Sequence, residues 1–153
     1  EPPLVIAALH PKMLALTAQE ARGTHTAFCL PEHTKHARAV LGPDAWVCPS
    51  VMAILERDAT KARARARLHL SFYANQENYQ RIFLAQGFTR ADFENGCSDH
   101  LVDSVIPWGS EEDIRARIDA HLAAGANHVC LMPLRCDRPE LPDERALEAF
   151  APR

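Results

Sequence analysis

The chain has 153 residues, 47% hydrophobic and 24% charged, with 17 Lys plus Arg against 20 Asp plus Glu for a formal charge of −3. That length holds one compact domain with a real core, and the balance is that of a soluble globular protein. No apolar run approaches the roughly 20 residues that cross a bilayer, no signal segment opens the chain, and the slight acidity gives nucleic acid no electrostatic footprint, so we expect a cytoplasmic protein with neither membrane nor nucleic-acid partners.

The sequence opens on Glu1, not Met, and enters a strand almost at once, as expected of a segment of a longer protein. Residues Leu4 to Leu9 form a continuous apolar run, the pattern of a strand buried on both faces. Pro11 suits a first helical position, and a helix to about Ala21 places Leu14, Thr17, Ala18 and Ala21 on one face before Gly23 ends it. A second strand is expected near Thr24 to Leu30, then a helix from Pro31 to Leu41 stopped by Gly42-Pro43. The third strand falls within Trp46 to Leu55; Pro49 lacks a ladder donor, so its pairing is expected to begin late or be irregular. Asp58 is a candidate N-cap for a long helix reaching Ala74.

Between Asn75 and Pro107 the rhythm breaks into shorter helices: Gln76 to Gln86, a turn after Thr89, and Ser98 to Ile106. Ser110-Glu111-Glu112-Asp113 has the form of a capping box and opens a helix to Ala124, closed by Gly125. His128 to Leu134 reads as the last strand, and a weak helix over Asp143 to Phe150 ends the chain. Strands alternating with helices imply parallel strands joined by right-handed crossovers. A full (β/α)₈ barrel needs about 250 residues. The fold expected is therefore α/β, a single domain over 1–153 forming the parallel four-stranded half of such a barrel, with extra helices before the last βα unit.

Four stretches carry a family resemblance: IAALHPKMLALTAQEARG over 6–23, PEH at 31–33, ENYQRIFLAQGF over 77–88, and SDHLVDSVIPWGSEEDIRARIDAHLAAGANHVCLMPL over 98–134. Together they resemble the luciferase-like monooxygenase family of flavin- and deazaflavin-dependent oxidoreductases. The resemblance implies that the strands are the fifth to eighth of a TIM barrel. It also implies hydride transfer on a small-molecule substrate, and a coenzyme of the 8-hydroxy-5-deazaflavin type ahead of FMN. In such enzymes the proton-handling residues come largely from the first four units. No catalytic residue is therefore named, and the chain by itself is expected to be inactive.

The main candidate site is the turn Ala7, Ala8, Leu9, His10, Pro11 and Lys12, where a strand's carboxyl end meets a helix amino terminus. Unpaired amides and the positive end of the helix dipole face outward there, and small residues let a ligand approach the backbone. The resemblance assigns this turn to the cofactor's phosphate and ring side, with one departure: the family usually carries Gly where His10 stands. Asn78, Tyr79 and Arg81 read first as packing and capping residues, and by resemblance as the region approaching the substrate opening.

Other features are weaker. His33 and His36 near Cys29 have helical spacing but no matching pair elsewhere, and none of the five cysteines forms a CxxC pair, so no metal is expected and the thiols read as reduced. Lys61, Arg63, Arg65 and Arg67 alternate with other residues and spread around a helix, which reads as a solvated surface. Trp108 reads as a core anchor, and His128, at the start of the last strand, as a residue of the barrel's stability end. A free half-barrel would expose strand edges at Leu4 to Leu9 and at His128 to Leu134, so a homo-oligomer, or pairing with an amino-terminal half, is expected. The alternatives are a non-catalytic half-barrel acting as an assembly or phosphate-binding module, and a barrel enzyme of another chemistry, such as a lyase.

Overall fold

A computed structural model describes residues 2–151. Its four strands are β1 (Val5–Ile6), β2 (Gly23–Ala27), β3 (Trp46–Ala53) and β4 (Cys130–Pro133), hydrogen-bonded in the order β1-β2-β3-β4. The helices are α1 (Pro11–Glu20), α2 (Pro31–Leu41), α3 (Ala59–Ala74), α4 (Glu77–Ala85), α5 (Arg90–Phe93), α6 (Asp99–Val105), α7 (Glu111–Ala123) and α8 (Glu144–Phe150). β1 pairs with β2 and β2 with β3 in parallel. The result is a four-stranded parallel α/β sheet with three extra helices before the last strand's own helix.

The punctuation in the sequence explains the boundaries. Proline occupies the first turn of α1 and of α2, and Gly42, at φ +84°, caps α2. The Asp58 carboxylate accepts from the amides of Thr60 and Lys61 at 3.0 and 3.3 Å and starts α3. Thr89 and Asp92 form a reciprocal capping box at α5, and Ser110 with Asp113 does the same work at α7.

Two strands are shorter than their apolar runs suggest. Ladder pairing in β1 stops at Ile6, and the Thr24 hydroxyl takes over, reaching the carbonyls of Ile6 and Ala8 at 3.1 and 3.2 Å. β2 stops at Ala27 because Phe28 turns to φ 55°, a left-handed backbone. Pro49, by contrast, does not delay pairing: β3 runs in unbroken register with β2, from Gly23 opposite Trp46 to Ala27 opposite Ser50. The reason is geometric. Strand amides alternate sides; Trp46 donates to Arg22 on the β2 side, whereas Val47 donates to Asn127 on the other. Pro49 shares the parity of Val47, so its missing N–H falls away from β2.

The chain forms two compact units, Glu1–Val51 with Ile118–Cys130, and Met52–Arg117 with Leu131–Arg153. In the first, Ala8, Leu14, Ala37 and Val47 make a buried cluster against which Leu41 packs. Thr34 and His121 share a buried hydrogen bond of 2.9 Å, and Arg38 donates to the carbonyls of Gly42, Ala45 and Gly125 at 2.6, 2.8 and 2.9 Å. In the second, α3 packs on α6 and α4, and an aromatic cluster of Tyr73, Tyr79, Phe83, Phe88 and Phe93 fills the space among the short helices.

The arginines of α3 are not a solvated face. Arg63 grips Asp103 through Nε and Nη2 at 3.0 and 2.6 Å, Arg67 donates to the Cys97 carbonyl at 3.0 Å and pairs with Asp99, and Arg65 is buried. Alternate helix positions point in different directions, and here each arginine meets a partner, Arg63 and Arg67 while half-buried, whereas Lys61 stays in solvent. Trp108, read as a core anchor, is only half-buried: its indole donates to Asp103 at 2.8 Å, and the Arg63 guanidinium lies 5.5 Å from its ring centre.

Candidate functional site

The turn from β1 into α1 lies within the first unit. Ala7 is exposed, whereas the Ala8 side chain is fully buried in the cluster with Leu14; only the first of the two alanines is open to a ligand. Leu9 and His10 are half-buried, and Pro11 and Lys12 are exposed. His10 is the N-cap of α1 with extended backbone, yet its side chain makes no cap hydrogen bond, and the first turn holds no acid. The first amides of a helix have no intrahelical acceptor. In α2, α4 and α7 an acid sits in the first turn, and in α3 Asp58 caps. α1 has neither, so its dipole and amides remain available to an anion.

His33 is the residue that the sequence did not single out for this site. It sits in the first turn of α2, is 8% exposed, and its Nε2 lies 2.8 Å from the Leu9 carbonyl oxygen. A carbonyl only accepts, so Nε2 carries the hydrogen and Nδ1 is a bare acceptor. Nδ1 is buried and finds no hydrogen-bond partner. Burial holds the His33 pKa below the ordinary 6.5; the bond to Leu9 opposes this, while the neighbouring His36 and His10 add to it. The ring is therefore neutral at pH 7. A signal was present in the motif PEH, where a histidine follows the helix-opening proline, but spacing alone does not say which carbonyl it reaches.

Phe28 adds backbone strain beside these residues, since the left-handed region costs a bulky residue about 1–2 kcal/mol; it is 1% exposed, so packing holds it there. Cys29 follows, with its S–H donating to the Ala27 carbonyl at 3.4 Å and burial pushing the thiol up to about 12, so it is no thiolate nucleophile. All five cysteines are free, and no group of three His, Cys, Asp or Glu suited to a metal occurs among the described residues.

The other candidates lie on α4 in the second unit. Tyr79 packs between Tyr73 and Phe83, with ring centres 5.1 and 6.5 Å away. Arg81 pairs with Glu77 one turn earlier at 2.5 Å on the surface, and Asn78 is exposed. No described helix is long and apolar enough to cross a membrane.

Comparison with solved structures places the same architecture in larger enzymes. A coenzyme F420-dependent tetrahydromethanopterin reductase from Methanopyrus kandleri superposes with a TM-score of 0.68 at 16% identity, over 96% of this chain and 48% of the reductase. An F420-dependent secondary alcohol dehydrogenase in complex with an F420-acetone adduct gives 0.59 at 16% identity, over 86% and 43%. Apo-MsnO8 gives 0.58 at 19% identity, over 99% and 52%. These likenesses establish a fold shared with TIM-barrel enzymes, and the chain spans about half the length of each. No curated protein matches the sequence. The sequence model of the luciferase-like monooxygenase family matches residues 1–128, and the chain belongs to that family.

Proposed function

We propose that the chain is the carboxy-terminal half, strands five to eight, of a deazaflavin-dependent oxidoreductase, with the turn Ala7 to Lys12 on the cofactor. The observation that carries this reading is the uncapped, acid-free start of α1 beside the unsatisfied Nδ1 of His33. Both fit such a coenzyme: free amides suit its phosphate, and a buried bare acceptor suits a hydroxyl or ring N–H. The F420-dependent neighbours favour a deazaflavin over FMN. When bound, the coenzyme supplies hydride chemistry, and the protein supplies position and electrostatics.

This chain's residues bind and orient. The α1 amides take up negative charge, Ala7 leaves room for close approach, and Lys12 adds a cation at the rim. His33 fixes the Leu9 backbone through Nε2 and offers Nδ1 to a donor. His10, where the family usually carries glycine, sets a side chain at the same rim. The proton-handling groups belong to the amino-terminal half, so the isolated chain is expected to bind without turnover. We further propose that edges β1 and β4 pair with another chain, either the other half or a second copy.

Fluorescence titration of the chain with oxidised deazaflavin coenzyme and with FMN tests the assignment. Saturable binding, tighter for the deazaflavin, is expected. Tighter FMN binding would move the assignment to a flavin enzyme, and binding of neither would remove the cofactor site.

A further inference from the structure

A cavity of about 680 Å³ lies wholly within the unit Met52–Arg117 with Leu131–Arg153. Four cations line it, Lys61, Arg65, Arg135 and Arg145, against two acids, Glu56 and Asp137. Glu56 follows β3 and Arg135 follows β4, so the cavity opens at the carboxyl ends of neighbouring strands, where parallel α/β sheets bind their ligands. Its volume falls in the range of about 300–1,000 Å³ typical of small-molecule pockets.

The four cations are not equivalent. Arg135 holds Asp137 at two points, 2.6 and 3.0 Å, and Arg145 holds the buried Asp143 at 3.0 and 2.7 Å. Lys61 lies 3.8 Å from Asp58 with both side chains largely in solvent, a weak pairing. Arg65 is different. It is 8% exposed and makes no ion pair among the described residues; its Nε donates to the Arg135 carbonyl at 2.8 Å and its Nη2 to the Pro139 carbonyl at 3.2 Å. Burial lowers its pKa, the mark of a desolvated cation. Buried charges are normally paired, and an oxyanion gains most where a guanidinium is already out of water.

We propose that this cavity binds a small organic oxyanion, a carboxylate or a phosphate monoester, with Arg65 as buried anchor and Lys61 as rim cation. Calling that anion the handle of the substrate rests on the oxidoreductase reading above; the site itself does not.

The test titrates the ¹⁵N-labelled full chain, without coenzyme, with inorganic phosphate and separately with acetate, following arginine Nε–Hε resonances. Saturable shifts at Arg65 and Arg145 are expected. Response to phosphate alone assigns a phosphate ester, and response to acetate alone a carboxylate. Lys61→Glu changes only an exposed side chain and is expected to weaken the midpoint about tenfold, while Lys35→Gln, on exposed α2 surface in the other unit, leaves it unchanged. Arg65→Met is expected to abolish the response; should that variant not fold, the Lys61→Glu comparison decides. No saturable shift with either anion, or shifts indifferent to Lys61→Glu, overturns the proposal. Anion binding without binding of either deazaflavin or FMN removes the cofactor reading and keeps this site, and coenzyme binding without anion binding discards this site alone.

Discussion

The imidazole of His33 donates from Nε2 to the carbonyl oxygen of Leu9 across 2.8 Å, so the first turn of α2 holds the backbone from which α1 departs. The contact joins two βα units at the carboxyl ends of their strands. It makes one buried neutral histidine a support of the proposed cofactor turn.

Stability should therefore fall with pH in a defined window. His33 has a folded-state pKa below its ordinary 6.5, so the unfolded chain takes up the proton first as pH drops. The stability from neutral His33 is complete above pH 6.5 and is lost as pH falls through the folded value. Thermal melts between pH 7.5 and about 5 are expected to show a falling midpoint. His33→Gln should flatten part of that slope; the remainder comes from His69, which burial shifts in the same direction. At pH 7.5, losing the bond to Leu9 should cost about 1–3 kcal/mol. An unchanged slope in the variant would remove His33 from this role.

Gly23 is a site of close approach between β2 and β3. A Cβ there would lie 2.1 Å from the Trp46 carbonyl oxygen, and backbone cannot swing aside. Gly23→Ala is expected to destabilise by about 3 kcal/mol, measured by urea denaturation. A loss below the error of the experiment would contradict the close register of the two strands.

Asp103 serves two donors at once, the Arg63 guanidinium and the Trp108 indole. Burial pushes its carboxyl up, but those hydrogen bonds and the nearby arginines outweigh it and hold the pKa below 3.8. Asp103→Ala should cost about 1–2 kcal/mol, moderated by partial exposure of the pair, and change Trp108 fluorescence. Asp103→Asn, which keeps an acceptor for the indole, should retain the native emission.

Much of this structure was legible because certain residues allow few conformations. Pro31 and Gly42 bracket α2, Asp58 starts α3, and Ser110 with Asp113 starts α7 where the sequence places them. The parallel α/β architecture followed from apolar runs alternating with amphipathic stretches. What stayed hidden depends on direction in space. Pro49 looked disruptive because sequence does not say which neighbour an amide faces. Arg63, Arg65 and Arg67 looked solvated because their partners at Asp103, Arg135 and Cys97 lie 30 to 70 positions away. Ala8 was read as open to a ligand and is core, since a one-residue step in a strand turns a side chain to the other face. His33 was weighed only as a metal ligand for a similar reason: the backbone acceptor it reaches lies 24 positions earlier.

Charge at the start of α1 should control coenzyme affinity. Lys12→Glu places an acid in the only long helix start lacking both an acid and a cap among α1, α2, α3, α4 and α7. The new carboxylate would compete for the amides and repel a phosphate, so deazaflavin binding should weaken about tenfold with little effect on the melting midpoint. Equal affinity in the variant would mean that the anion binds elsewhere.

The most direct measurement is an amide NMR titration of the chain with oxidised deazaflavin coenzyme. The largest shifts are expected at Ala7, Leu9, His10, Lys12 and Met13, with smaller ones at His33. Shifts confined to other segments, or a spectrum unmoved at saturating coenzyme, would contradict the assignment of this turn.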